Sequence, residues 1–199
     1  MKIYDISQEV YTCAVWPGDP TPKKTVVLRV SEGANCNLSH LAMCVHNGTH
    51  VDAPYHFIDD GKRIDELALE TLVGPCYVAT MSGDLSAKDA EAILQAAAAK
   101  MPEAAKRILI RGKAVVTTDA ASVFAESGVL LVGNESQTVG PENAPAAVHR
   151  ILLGKDIVLL EGIRLGEVVD GVYLLNAAPL NLGGSDGAPC RALLIEGVL

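Results

Sequence analysis

Apolar positions along the chain fall into short blocks of β-branched and aliphatic residues separated by turn formers. KIYDI, KTVVLRV, NLSHLAMCV, CYVATM, RILIRG, VLLVG, IVLLEGI, GVYLL and RALLIEGV are of strand length and rich in Val, Ile and Leu, so each reads as a strand. Three other segments read as helices. SAKDAEAILQAAAAK has Ser86 as N-cap, an alanine-rich interior, and the proline of MPEAAK as its stop. TTDAASVFAESG starts near Thr118 and ends at Gly128, and PENAPAAVHRILLGKD opens on prolines and ends at Gly154. Strands cluster in the first half of the chain and alternate with helices in the second. The pattern predicts an α/β fold, a single mixed-sheet domain over residues 1–199 with β-rich N-terminal and C-terminal portions, rather than a regular doubly wound sheet. PGDPTP and NLGGSDGAPC are turn-rich loops too short to separate domains and better suited to framing a site.

Composition narrows the function classes. Of 199 residues, 49% are hydrophobic and 20% charged, a globular balance, but only 4% are aromatic, so Val, Leu, Ile and Ala must build the core. A net charge of -8 with no basic cluster argues against a nucleic-acid or anionic-membrane partner. The opening MKIYDISQEV lacks the basic and apolar regions of a leader, and no apolar run has the length of a membrane span, which points to a cytoplasmic protein. Cys13, Cys36, Cys44, Cys76 and Cys190 are odd in number and contain no C-x-x-C pair, as expected of reduced thiols; Cys44, two residues before His46, is the one placed to border a site. G-x-G-x-x-G, Walker A and G-x-S-x-G patterns are absent, which removes the commonest nucleotide-binding and serine-hydrolase readings.

The densest chemistry lies in HNGTHVDAPYHF, where three of the five histidines and an aspartate fall between positions 46 and 56. Asn47-Gly48 favours a turn, Thr49 and Val51 are β-branched, and Pro54 disfavours a helical Ala53, so the segment reads as a turn followed by an extended strand. Alternation then points His50, Asp52, Pro54 and His56 to one face, while the turn returns His46 alongside His50. Two imidazoles and a carboxylate, His46, His50 and Asp52, suit zinc, manganese or a similar divalent ion. His56, one step further on, is either another ligand or an acid or base beside the metal. Thr49 and Asn47 read as groups that orient the ligands. His40 matches no ligand position and reads as structural.

HNGTHVDAPYHF resembles the H-x-G-T-H-x-D-x-P-x-H-F signature of the cyclase-like metal-dependent hydrolases, the kynurenine formamidase and isatin hydrolase group. VWPGDP resembles that family's tryptophan-proline-glycine-aspartate loop, and GGSDGAPCRALLI its closing segment, so the resemblance covers nearly the whole chain. It implies a swivelling β/β/α domain and a homodimer or larger homo-oligomer, with the N-terminal loop of one copy bordering the site of another. It also implies a second ion, with Asp52 bridging between the first, held by His46 and His50, and the second, held by His149 and Glu161. Where the family often carries G-x-D-x-x-S-V, GNESQTVG places Glu135 and Thr138.

The resemblance implies a metal-dependent amidohydrolase. A divalent ion acidifies bound water toward neutrality and stabilises the oxyanion that forms on an amide carbonyl, while His56 shuttles a proton to the leaving amine. Trp16 and Tyr55 are the aromatic candidates for walls of a substrate pocket. The resemblance implies an arylformamidase that converts N-formylkynurenine to kynurenine and formate. A cyclic amide or lactone such as an isatin-type substrate is the second reading, and a non-catalytic metal or small-ligand binding protein the third. The glycines around Asp186 either bring the C-terminal loop to the metals or only tighten a connection between strands, and Arg191 pairs with Asp186 or with another carboxylate.

Overall fold

The computed structural model of residues 1–199 forms strands at the apolar runs, and the central ones are covered on both faces. In chain order the strands are β1 (Lys2–Asp5), β2 (Lys23–Leu28), β3 (Leu38–Ala42), β4 (His50–Asp52), β5 (Val73–Thr80), β6 (Gly83–Leu85), β7 (Arg107–Arg111) and β8 (Ala114–Val116). They continue with β9 (Leu131–Asn134), β10 (Val158–Glu161), β11 (Gly171–Asn176), β12 (Gly187–Pro189) and β13 (Leu193–Glu196). The helices are α1 (Leu69–Leu72), α2 (Ala87–Lys100), α3 (Thr118–Glu126) and α4 (Ala146–Leu153). Nine strands form one mixed sheet in the order β1-β13-β11-β5-β7-β9-β10-β4-β12. Its centre, β5, β7, β9 and β10, is parallel, and the N-terminal and C-terminal strands complete it in antiparallel fashion at both edges.

Alternate residues of the central strands feed two separate cores. Leu109, Leu131, Val158 and Leu160 pack on one face with Val51, Ile163 and Leu194. Ile108, Ile110, Val132 and Leu159 pack on the other face under the helices, with Phe124, Leu152 and Leu153. This double coverage explains why RILI and VLLE read as continuous apolar runs rather than alternating ones.

The helices follow their sequence signals. Ser86 and Asp89 form a capping box at the start of α2, whose Ala90, Ile93 and Ala97 make a buried stripe at helical spacing. Helix α3 is capped by Thr117, one residue before the expected start. Helix α4 begins only at Ala146, after Pro145, and buries Val148, His149, Leu152 and Leu153. No helix is long and apolar enough to cross a membrane.

Four elements escape the hydrophobic pattern. Strands β6 and β8 are three residues each and pair only with one another, and α1 is a single turn. Strand β12 has the composition Gly-Ala-Pro of a loop, yet it pairs with β4 at the sheet edge. Strands β2 and β3 form a separate hairpin in which every residue is exposed, His40 included.

Candidate metal centre

Register brings the first four groups together. Strands β4 and β10 run antiparallel with His50 opposite Glu161 and Asp52 opposite Leu159. Because Leu159 belongs to the helix-side core, His50, Asp52 and Glu161 all point beneath the helices. Helix α4 delivers His149 to the same place, where its Nε2 lies 3.2 Å from Glu161 Oε1 and 3.6 Å from Asp52 Oδ2. His50 Nε2 lies 3.3 Å from Asp52 Oδ1 and 3.6 Å from Glu161 Oε2. His50, Asp52, His149 and Glu161 are all buried.

His46 arrives by the turn. Gly48 adopts a φ of +66°, and a Cβ there would stand 2.8 Å from Cys13 Cβ, so both the reversal and the close packing call for glycine. His46 consequently lies edge-on to His50, with ring centroids 5.1 Å apart, and its Nδ1 is 2.9 Å from Asp52 Oδ1. His56 reaches the site differently from the extended-strand expectation. Strand β4 ends at Asp52, and Pro54–His56 form a 3-10 turn, because proline at the first position favours a helical start. His56 then stacks on His46 at a centroid separation of 4.0 Å.

Two groups of donors emerge around Asp52: His46 with His50 and Asp52, and Asp52 with His149 and Glu161. A third group, His46, His56 and Asp186, adjoins the first. The donor set is imidazole nitrogen and carboxylate oxygen, as zinc or manganese requires. Asp52 Oδ2 is buried without a hydrogen-bond partner, a deficiency that a bound cation would satisfy. The residues therefore fit a divalent cation, and Asp52 belongs to two of the donor groups.

Electrostatics agree with that fit. Burial opposes charge on His46, but hydrogen bonds to Asp186 and Asp52 outweigh it and raise the pKa to about 9. Burial likewise opposes charge on His50, and Asp52 with Glu161 raise it to about 10. For Asp52, burial favours the neutral acid, yet His46 and His50 hold the carboxyl well below its ordinary range. Burial pushes the His149 pKa down and Glu161 reverses the sign, giving a net rise. His56 differs, since its burial prevails and lowers the pKa. The buried carboxylates thus favour positive charge at His46, His50 and His149.

A cavity of about 290 Å³ opens over the cluster, lined by His46, His50, His56, His149 and Glu161 together with Trp16, Phe57, Gln137 and Thr138. Cys44 lies on this wall as anticipated. Tyr55 does not; it is half-buried with the Arg63 guanidinium 4.4 Å above its ring. A larger cavity of about 760 Å³ lies on the other side of the 47–49 turn, but it contains no histidine and is secondary to the chemistry. Thr49 donates to the Gly162 carbonyl and accepts from Gln8 N–H, so it clamps loops rather than a ligand ring. Asn47 caps the turn by accepting from Cys44 N–H. Thr138 is on the cavity wall, whereas Glu135 accepts from Gly112 and Leu165 N–H away from it.

Sequence reasoning left Phe57 and Gln137 without a role and Asp186 undecided. Asp186 Oδ2 lies 2.7 Å from His46 Nε2 and 3.1 Å from His56 Nδ1. The hydrogen bond to His46 holds its pKa down at about 2. Arg191 pairs instead with Asp5, its Nε 2.8 Å from Oδ2.

The curled nine-stranded sheet and the histidine–carboxylate cluster on its helical face place the chain in a defined class, and residues 4–141 match the Cyclase family, described as "Putative cyclase". The chain belongs to that family. It is 34% identical to the kynurenine formamidase of Bacillus cereus over 206 residues, covering 96% of this chain and 95% of the relative. Among solved structures it resembles a potential metal-dependent hydrolase with cyclase activity, at a TM-score of 0.79 and 27% identity over 97% of this chain and 96% of that one. Isatin hydrolase A of Labrenzia aggregata shares the fold at a TM-score of 0.81, with 19% identity over 98% of this chain and 94% of the other.

Proposed function

We propose that the chain, as one hydrolase domain over residues 1–199, is a metal-dependent hydrolase of a small amide, an arylformamidase that converts N-formylkynurenine and water to kynurenine and formate. The observation that carries this reading is the buried Asp52 carboxylate between two donor groups, with His56 at the mouth of the same cavity. The match to a kynurenine formamidase along nearly the whole chain supports it. His46, His50 and Asp52 would hold one divalent ion, and Asp52, His149 and Glu161 a second, with zinc and manganese equally suited to the donors. Such ions supply a nucleophile at neutral pH by acidifying coordinated water and polarise the carbonyl under attack.

The chain's own groups then bind, orient and move protons. The leaving aryl nitrogen needs a proton as the C–N bond breaks, and His56 supplies it; its lowered pKa leaves the ring ready to accept and pass on a proton near neutrality. Trp16 and Phe57 flank the cavity and offer apolar faces to an aryl ring. The five free cysteines suit a reducing, cytoplasmic setting.

The exposed β2–β3 hairpin supports assembly with a second copy. It presents Val26, Val27, Leu28, Leu38 and Leu41 to solvent, and it carries Lys23, Lys24 and Arg29 nearby against Glu32 alone in a chain of net charge -8. A basic, apolar arm on an acidic body is complementary to another copy of itself.

The deciding experiment measures metal content per chain on untagged protein, its mass by light scattering, and turnover of N-formylkynurenine, isatin and a lactone with and without chelator. About two ions per dimeric subunit with chelator-sensitive formamide cleavage is the expected outcome. Turnover of isatin or the lactone alone would move the substrate class, and metal binding without turnover of any of the three would leave a binding protein.

A further inference from the structure

Three imidazoles surround Asp52, and each turns one nitrogen inward and one outward. The outward Nδ1 of His50 donates to the Gly48 carbonyl at 3.0 Å, and that of His149 to the Pro145 carbonyl at 2.9 Å. Each bond fixes the proton on Nδ1 and leaves Nε2 facing the carboxylates. The outward nitrogen of His46 is Nε2, and its partner is the Asp186 carboxylate at 2.7 Å. The same oxygen takes the Nδ1–H of His56 at 3.1 Å. A carboxylate only accepts, so both rings must turn an N–H toward it. His46 keeps Nδ1 toward Asp52, and His56 keeps Nε2 free.

We propose that Asp186 is a positioning residue that sets two rings at once, His46 as a metal ligand and His56 as a proton carrier. The inference rests on the metal-dependent reading of the site. The loop that carries Asp186 is built for this duty. The Asp186 carbonyl accepts from Ala53 N–H at 2.9 Å, directly after β4, and the Ser185 carbonyl accepts from Ile64 N–H at 2.9 Å. The neighbouring Gly187 allows the approach, since a Cβ there would stand 2.7 Å from His46 Cε1 and 2.8 Å from the Val51 carbonyl. Pairing of β12 with β4 on one side and the Ser185–Ile64 bond on the other thus anchor the carboxylate.

The test titrates zinc into chelator-stripped wild type, Asp186→Asn, Asp186→Ala and Asp186→Glu against a chromophoric chelator, and follows the imidazole nitrogens by NMR. One zinc equivalent is expected to weaken by about 10- to 100-fold in the Asn and Ala variants while the other keeps its wild-type affinity. His56 should change from one tautomer to a mixture in both, and Asp186→Glu should recover part of the affinity. Either variant binding both equivalents like wild type with a single His56 tautomer would overturn the proposal and leave the metal reading standing. Wild type that binds no zinc or manganese would overturn both. Asp186 is 40% exposed in its side chain, so the fold should tolerate the changes, and the Ala variant decides alone if the Asn variant does not fold.

Discussion

The two sides of the candidate centre are held in different ways. On the buried side, Asp52, His149 and Glu161 come from two strands and a helix, and two of the three are tied to backbone atoms: His149 to the Pro145 carbonyl and Glu161 to Val139 N–H. On the half-open side, His46, His56 and Asp186 come from turns and loops and hold one another through side chains. Secondary structure fixes the buried donors through strand register and helix packing, where small displacements cost packing energy. Side-chain bonds fix the open ones, which suits groups that must meet substrate and pass a proton.

Replacing His56 by alanine tests the division most severely. If His56 carries proton transfer and the donors around Asp52 hold the ions, kcat should fall by about 10²- to 10⁴-fold with the metal content of wild type. A parallel loss of metal would show that the two sides act as one.

The pH dependence of the metal-free protein next tests the imidazoles that face Asp52 from both sides. The pKa values of His46 and His50 rise from an ordinary 6.5 to about 9 and about 10 on folding. Their stabilisation is therefore complete below about pH 6.5 and is lost as pH rises through those folded values. The melting temperature of chelated protein should decline across that window, while zinc-loaded protein, whose ions replace the protons, should decline less. Equal slopes would mean that the imidazoles do not balance the carboxylates.

The smallest effect is expected at the rim. Trp16→Ala removes aromatic contact worth about 1 kcal/mol and should raise KM roughly fivefold with kcat and metal content little changed. A fall in kcat at unchanged KM would place Trp16 in the chemistry instead of in binding.

Much of this organisation is legible in local sequence. The apolar runs locate the central strands, and Ser86 marks the start of α2, because burial on both faces and an unsatisfied helix end each impose a short-range demand. HNGTH fixes its own geometry, because Gly48 must turn and His50 and Asp52 must alternate. The 3-10 turn at Pro54 was harder to read, since Pro54 ends an extended run and starts a helical turn equally well. Strand β12 was harder still, because Gly-Ala-Pro pairs only when β4 is already there to receive it.

The sequence by itself determined the sheet's central strands, the capped helices and the cluster of His46, His50, Asp52 and His56, all set by neighbours within a few residues. Only the tertiary structure decided that Glu161 stands opposite His50, that Tyr55 turns away, that Arg191 joins Asp5, and that Asp186 bridges two histidines 140 and 130 positions distant. Those pairings depend on strand register and loop docking across the whole chain, and no local pattern encodes a partner so far away.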